Sequence, residues 1–181
     1  MAHAKRRLGS AGAPNRHHVG VELDPLEIAP YADRDEQELY AAYAAVVEEG
    51  GAFPRRPPIA RGEFRSAWLE GAAAVWVARL EGNLAGSYFL RPAFPGAATT
   101  IANAGYLVPA ELRGKGIGRR LCEHSLRLAG ERGFEAMLFN LVLERNPSRR
   151  LWERLGFKQV GRIPQVLDGE AALLYWRSLE N

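Results

Sequence analysis

The stretch ELRGKGIGRRL, residues 111–121, sets three glycines two apart among four basic residues. Glycine at this density costs conformational entropy unless the backbone does something that a Cβ would block. A P-loop requires G-x-x-x-x-G-K-[ST]. Here Lys115 is followed by Gly116, and no glycine stands five before Gly114. A dinucleotide fingerprint requires G-x-G-x-x-G, and Gly114, Gly116 and Gly118 fall one residue short of it. The pattern R-x-x-G-x-G fits directly, with Arg113, Gly116 and Gly118. Such a loop turns successive N–H groups toward a pyrophosphate and opens a helix whose N-terminus adds partial positive charge. The candidate phosphate site is therefore Arg113, Gly114, Lys115, Gly116, Ile117, Gly118 and Arg119, with Lys115, Arg119 and Arg120 able to add charge-assisted contacts. A tight turn before a solvated basic helix is the competing reading.

The surrounding elements decide between them. TTIANAGYLV, residues 99–108, is a β-branched and aromatic run that stops at Pro109, a residue unable to donate to a ladder. From Gly116 to about Arg132, Ile117, Leu121 and Leu128 recur at helical spacing. Strand, glycine loop, helix is the order that phosphate binding requires. Upstream, VGVELDPLEIAPY reads as a first strand on Val19, Val21 and Leu23, and Asp33–Glu49 as a helix stopped by Gly50–Gly51. Residues 53–60 form a proline-rich loop, and RGEFRSAWLEG a short helix carrying Phe64, Trp68 and Leu69 to the core. A hairpin follows, turning at Gly82–Asn83 and broken by PAFPGA. EAMLFNLVL is a short apolar strand with one polar interruption, Asn140. A buried amide needs a hydrogen-bond partner, in the backbone or in a ligand. NPSRRLWERLGF reads as a helix with Asn146 as N-cap, Pro147 at its first position and Leu151 and Leu155 inward. KQVGRIP and EAALLYWRSL close the chain as two strands.

A chain of 181 residues is one domain of ordinary size, and a net charge of +3 without a long basic block suits an anionic small molecule rather than nucleic acid. The basic residues cluster at the glycine loop rather than along the following helix, which argues against a helix-turn-helix reader of nucleic acid. The single cysteine, Cys122, excludes a disulfide framework and a cysteine-based metal site, and reads as a small buried hydrophobe. No apolar run approaches a membrane span. Residues 1–18 are basic without an apolar stretch, so the expectation is a disordered tail on a cytoplasmic domain covering residues 19–181.

Arg113-x-x-Gly116-x-Gly118 after a strand, then an apolar strand, then the N…LWERLGF segment, together resemble the GNAT superfamily of acetyltransferases. The resemblance implies an α/β fold: a mixed, largely antiparallel sheet with a central splay between two parallel strands, flanked by helices. It implies acetyl-CoA as cosubstrate, with the pyrophosphate on the glycine loop and the pantetheine between residues 99–108 and 135–143. The backbone near Leu107 and Val108 would bond the pantetheine and polarise the thioester. Many members have a tyrosine in the LYEKLGF-type segment that protonates the departing thiolate; this chain has Trp152. An indole N–H donates no proton at neutral pH.

ANAGYLV…RGKGIG…FNLVLERN…RLWERLGF…GRIP is similar, more narrowly, to the proline-analogue N-acetyltransferases, which acetylate azetidine-2-carboxylate and related cyclic amino acids. That resemblance implies that Asn103 orients the amine and the developing oxyanion. It implies that Asn140 and the Leu141 backbone hold the substrate carboxylate, and that Asn146 faces the coenzyme side. No metal and no covalent enzyme intermediate are implied. The partners are acetyl-CoA and a small-molecule amine, with no nucleic acid and no membrane, and a homodimer is compatible with the fold. Acetylation of a protein N-terminus or lysine, and a non-catalytic acyl-CoA-binding module, are the alternatives.

Overall fold

The computed structural model describes residues 26–96 and 100–179. The proposed tail and Val19, Val21 and Leu23 lie outside the described residues. Inside them, the first strand is β1, Glu27–Pro30. A 3-10 turn at Asp33–Asp35 leads into α1, Glu36–Glu49. In α1, Leu39, Tyr43, Val46 and Val47 are buried at the spacing of one helix face. Asp35 anchors its start: the carboxylate accepts from the Ala32 N–H at 2.8 Å and pairs with Arg79 of the neighbouring strand at 2.8 Å. The short helix that follows is α2, Arg61–Phe64, and it continues as a π-turn over Arg65–Leu69. It delivers Phe64 and Trp68 to the core as expected, with Leu69 only partly buried.

Strands β2, Ala74–Leu80, and β3, Asn83–Pro92, form the hairpin. Its turn is Glu81–Gly82, one residue earlier than the sequence suggests, because both residues take the positive φ of a tight hairpin turn while Asn83 already pairs with Leu80. Then come β4, Ile101–Leu107; α3, Ile117–Glu131; β5, Ala136–Leu143; α4, Arg149–Arg154; β6, Lys158–Leu167; and β7, Glu170–Ser178. In α3 the inward face is Ile117, Leu121, Cys122, Ser125, Leu126 and Ala129, while Leu128 is only partly buried. Burial pushes the Cys122 thiol up to about 12, so it is an inert core residue.

The seven strands run in the order β1-β2-β3-β4-β5-β7-β6. All neighbours are antiparallel except β4 and β5. Alternation along the strands makes two cores. Tyr88, Leu90, Ala102, Ala104 and Met137 pack with α3; Leu84, Phe89 and Leu107 pack with α1 and α2 on the other face. The expected fold class is the observed one. Among the described residues, no helix is long and apolar enough to cross a membrane.

Candidate active site

The parallel pair sets the geometry. Strands β4 and β5 pair only at Ile101↔Ala136 and Ala102↔Met137, and then part. From Asn103 onward the β4 edge facing β5 is without a strand partner, so its backbone groups are free to bond a ligand lying in the gap. A cleft of about 920 Å³ fills that gap. It runs from the glycine loop at one end to an aromatic wall of Tyr43, Phe53, Trp68 and Phe89 at the other. The wall needs Gly105 beneath it: a Cβ there would lie 2.5 Å from the Phe89 ring.

At the loop end, Gly114 and Gly116 have φ of +76° and +82°. These left-handed values are strained for any residue with a Cβ. Both glycines line the cleft, with Arg113, Ile117, Gly118 and Arg119. Arg113 does more than border it. Its Nε donates to the Val108 carbonyl at 3.2 Å and its Nη2 pairs with Glu49 at 2.7 Å. The arginine of the motif therefore braces the loop against β4 and α1, and its charge is already balanced. Arg119 pairs with Glu123 along the helix at 2.7 Å and is mostly exposed. Lys115 is exposed and outside the cleft lining. Val108 lines the cleft, whereas the Leu107 side chain is buried in the α1-side core.

At the opening of the splay, the Asn103 side chain crosses from β4 to β5. Its Nδ2 donates to the Leu138 carbonyl at 2.8 Å and to Asn140 Oδ1 at 3.3 Å. Both amide hydrogens are thus committed, and only Oδ1 remains to face the cleft. Asn103 can accept from an amine, but it is not placed as the oxyanion donor that the resemblance implies. The same contact leaves the Nδ2 of Asn140 as a donor into the cleft.

Asn140 is exposed, not buried as the apolar run around it suggests. The reason is a bulge. Pairing with β7 passes from Phe139↔Tyr175 to Val142↔Leu173, so two residues of β5 face one of its partner. Asn140 and Leu141 are pushed into the cleft, with Leu141 41% exposed. Asn146 also borders the cleft, but its amide is occupied: Nδ2 donates to the Ala52 carbonyl at 3.2 Å, and Oδ1 accepts from the Ser148 N–H at 2.9 Å. It shapes a turn rather than capping the helix directly, and α4 starts later, at Arg149.

Trp152 is the buried residue of α4; Leu151 and Leu155 are only partly covered. Its indole packs 5.1 Å from the Tyr106 ring and 5.0 Å from Phe139, at the floor of the cleft. Trp152→Phe is expected to keep kcat within about tenfold in a folded protein, because the indole has no proton to transfer. Loss beyond about a hundredfold, the size expected of a removed acid–base group, contradicts this.

Among the described residues lining the cleft there is no Asp, Glu or His. Burial raises the phenols of Tyr43 and Tyr106, the latter well above its ordinary range, so neither is a base near neutrality. The described residues also hold no cluster of metal-ligating side chains. The sequence reading missed the aromatic wall as a cleft surface; the only sign of it was that Phe53 sits in the proline-rich loop.

The architecture is thus a mixed sheet whose one parallel pair splays beside a glycine loop and the N-terminus of a helix. The chain belongs to the Acetyltransferase (GNAT) family, which matches residues 32–157. N-acetyltransferase aca1 of Schizosaccharomyces pombe (strain 972 / ATCC 24843) is 44% identical over 82 residues, which are 45% of this chain and 39% of that protein. A GCN5-related N-acetyltransferase from Kribbella flavida is 28% identical, with a TM-score of 0.78 over 84% of this chain and 97% of its own. A GNAT superfamily phosphinothricin acetyltransferase from Sinorhizobium meliloti, solved in complex with acetyl-CoA, shares the fold at 20% identity. Its TM-score is 0.74 over 84% of this chain and 88% of its own.

Proposed function

We propose that the chain is an acetyl-CoA-dependent N-acetyltransferase acting on the amine of a small amino acid, of the cyclic proline-analogue class. The observation that carries this reading is the linked pair Asn103–Asn140 at the mouth of the splay. It presents one acceptor and one donor side by side, beside an aromatic wall that suits a compact apolar ring. The loop glycines and the unpaired β4 edge fit the pyrophosphate and pantetheine of acetyl-CoA, which supplies the activated thioester.

Asn103 Oδ1 accepts from the amine N–H and so directs the nitrogen lone pair at the thioester carbonyl. Asn140 Nδ2 and the Leu141 N–H hold the acceptor's carboxylate. Backbone N–H groups of β4 near Leu107 and Val108 meet the charge that develops on the carbonyl oxygen. The C–N bond forms as the C–S bond breaks. The amine proton passes to water, and the thiolate takes its proton from solvent, with Trp152 donating none. Positioning and desolvation supply the rate.

Because the described cleft residues include no group that titrates near neutrality, the pH profile reads the acceptor itself. Only the neutral amine attacks, and its fraction rises with pH below its own pKa. The expected kcat/KM therefore rises about tenfold per pH unit from pH 6 until the amine is neutral. The plateau shifts when an acceptor of lower amine pKa is used. A bell-shaped profile with a limb near pH 6–7 that is the same for every acceptor overturns the assignment of proton transfer to water.

A further inference from the structure

We propose that Arg91 supplies the counter-charge that restricts acceptors to those carrying an anionic group next to the amine. The inference rests on the amino-acid reading of the acceptor and names the residue that enforces it. Arg91 stands opposite Asn103 in the β3–β4 register. Paired residues on neighbouring antiparallel strands project from the same face of the sheet, about 5 Å apart at Cβ. A polar row, Arg91–Asn103–Asn140, therefore crosses three strands at the mouth of the splay.

The side chain of Arg91 folds back along its own strand. Its Cζ lies 4.1 Å from the centroid of the Phe89 ring, and its Nη2 donates to the Ala67 carbonyl at 2.8 Å. Phe89 and Ala67 both line the acceptor end of the cleft. The guanidinium is thus packed directly behind that wall. It is half-buried, its Nε is fully enclosed without a hydrogen-bond partner, and no carboxylate of the described residues pairs with it. A cation partly removed from water and without a counter-ion is costly to keep. Arg56, Arg79, Arg145 and Arg162, by contrast, each have an acidic partner.

The acceptor's carboxylate, held at Asn140 on the same polar row, supplies the missing charge. Across the wall that attraction is expected to be worth about tenfold or more in affinity. Arg91 is a specificity-determining residue, not a catalytic one: it touches the wall, not the reacting atoms. The geometry disfavours a peptide N-terminus, whose nearest backbone group is a neutral amide.

The test is calorimetry on the full chain saturated with coenzyme A. The probes are L-azetidine-2-carboxylate and its carboxamide; the proteins are the wild type, Arg91→Lys and Arg91→Met. Melting curves establish that each variant is folded. The expected result is that the wild type binds the acid at least about tenfold more tightly than the amide. Arg91→Met removes that preference with little change for the amide, and Arg91→Lys keeps most of it. A wild type that binds the two alike, or binds neither, overturns the inference. So does an Arg91→Met variant that retains the preference, or Lys and Met variants that weaken both ligands equally, which marks a packing role. Turnover is scored separately. Arg91-dependent discrimination without acetyl transfer contradicts the proposed function and leaves this inference standing; transfer with Arg91-independent discrimination does the reverse.

Discussion

Gly116→Glu lowers the affinity for coenzyme A by at least about a hundredfold, through a carboxylate set against the pyrophosphate at an effective dielectric near the protein surface. The expectation has a clean physical basis. A Cβ built at Gly116 meets nothing within 4 Å beyond its chain neighbours, so the site has open space for a side chain. What it introduces is charge and backbone strain, since the residue holds φ at +82°. Gly116→Ala carries the strain alone, about 1–2 kcal/mol, and separates the two contributions. Calorimetry with coenzyme A therefore has an ordered outcome: wild type strongest, alanine moderately weaker, glutamate weakest by far. Binding by the glutamate variant at wild-type strength removes the glycine loop from the cosubstrate site.

Asn103→Ala lowers kcat about a hundredfold, the cost of losing the alignment of one reactant against the other. The same change deprives the Leu138 carbonyl of its donor, which costs about 1–3 kcal/mol of stability, so kinetics and melting curves have to be taken together. Asn140→Ala behaves differently. Its free Nδ2 faces the cleft, and its loss raises KM for an amino acid while mattering less for the matching carboxamide. Equal weakening of both acceptors removes Asn140 from carboxylate recognition. An Asn103→Ala variant that is folded and turns over within about threefold of wild type removes Asn103 from the reaction, since even a single positioning contact is worth more.

Much of this was legible before the structure, and the exceptions have specific causes. The order strand, glycine loop, helix, strand, helix follows from periodicity and from Pro109, because local patterning and turn chemistry agree there. The misreading of Asn140 as buried comes from the bulge at Asn140–Leu141. Nothing in FNLVL marks it, since neither glycine nor proline interrupts the run. Asn146 is a sound helix-start residue by sequence, yet its amide is divided between the Ala52 carbonyl and the Ser148 N–H. The first of these partners is remote in the chain and invisible to local pattern. Arg113 illustrates the opposite limit: the motif locates the loop, but only the fold reveals that Glu49 balances the arginine's charge. Arg91 carries no signal in the sequence, because its place depends on register. It acquires a role only when β3 and β4 are aligned so that it faces Asn103.

Transfer of an acetyl group to a small amino acid is read directly in a single incubation. The purified full chain is incubated with acetyl-CoA and L-azetidine-2-carboxylate, and free thiol and acetylated product are followed together, the first by a thiol reagent and the second by mass spectrometry. Thiol and N-acetyl product are expected in equal amounts, with no acetylated protein accumulating, and both stop when the amine is omitted. Tight binding of acetyl-CoA with no thiol release across a panel of small amino acids contradicts the transfer reaction, and defines the chain instead as a module that holds acyl-coenzyme A without turning it over.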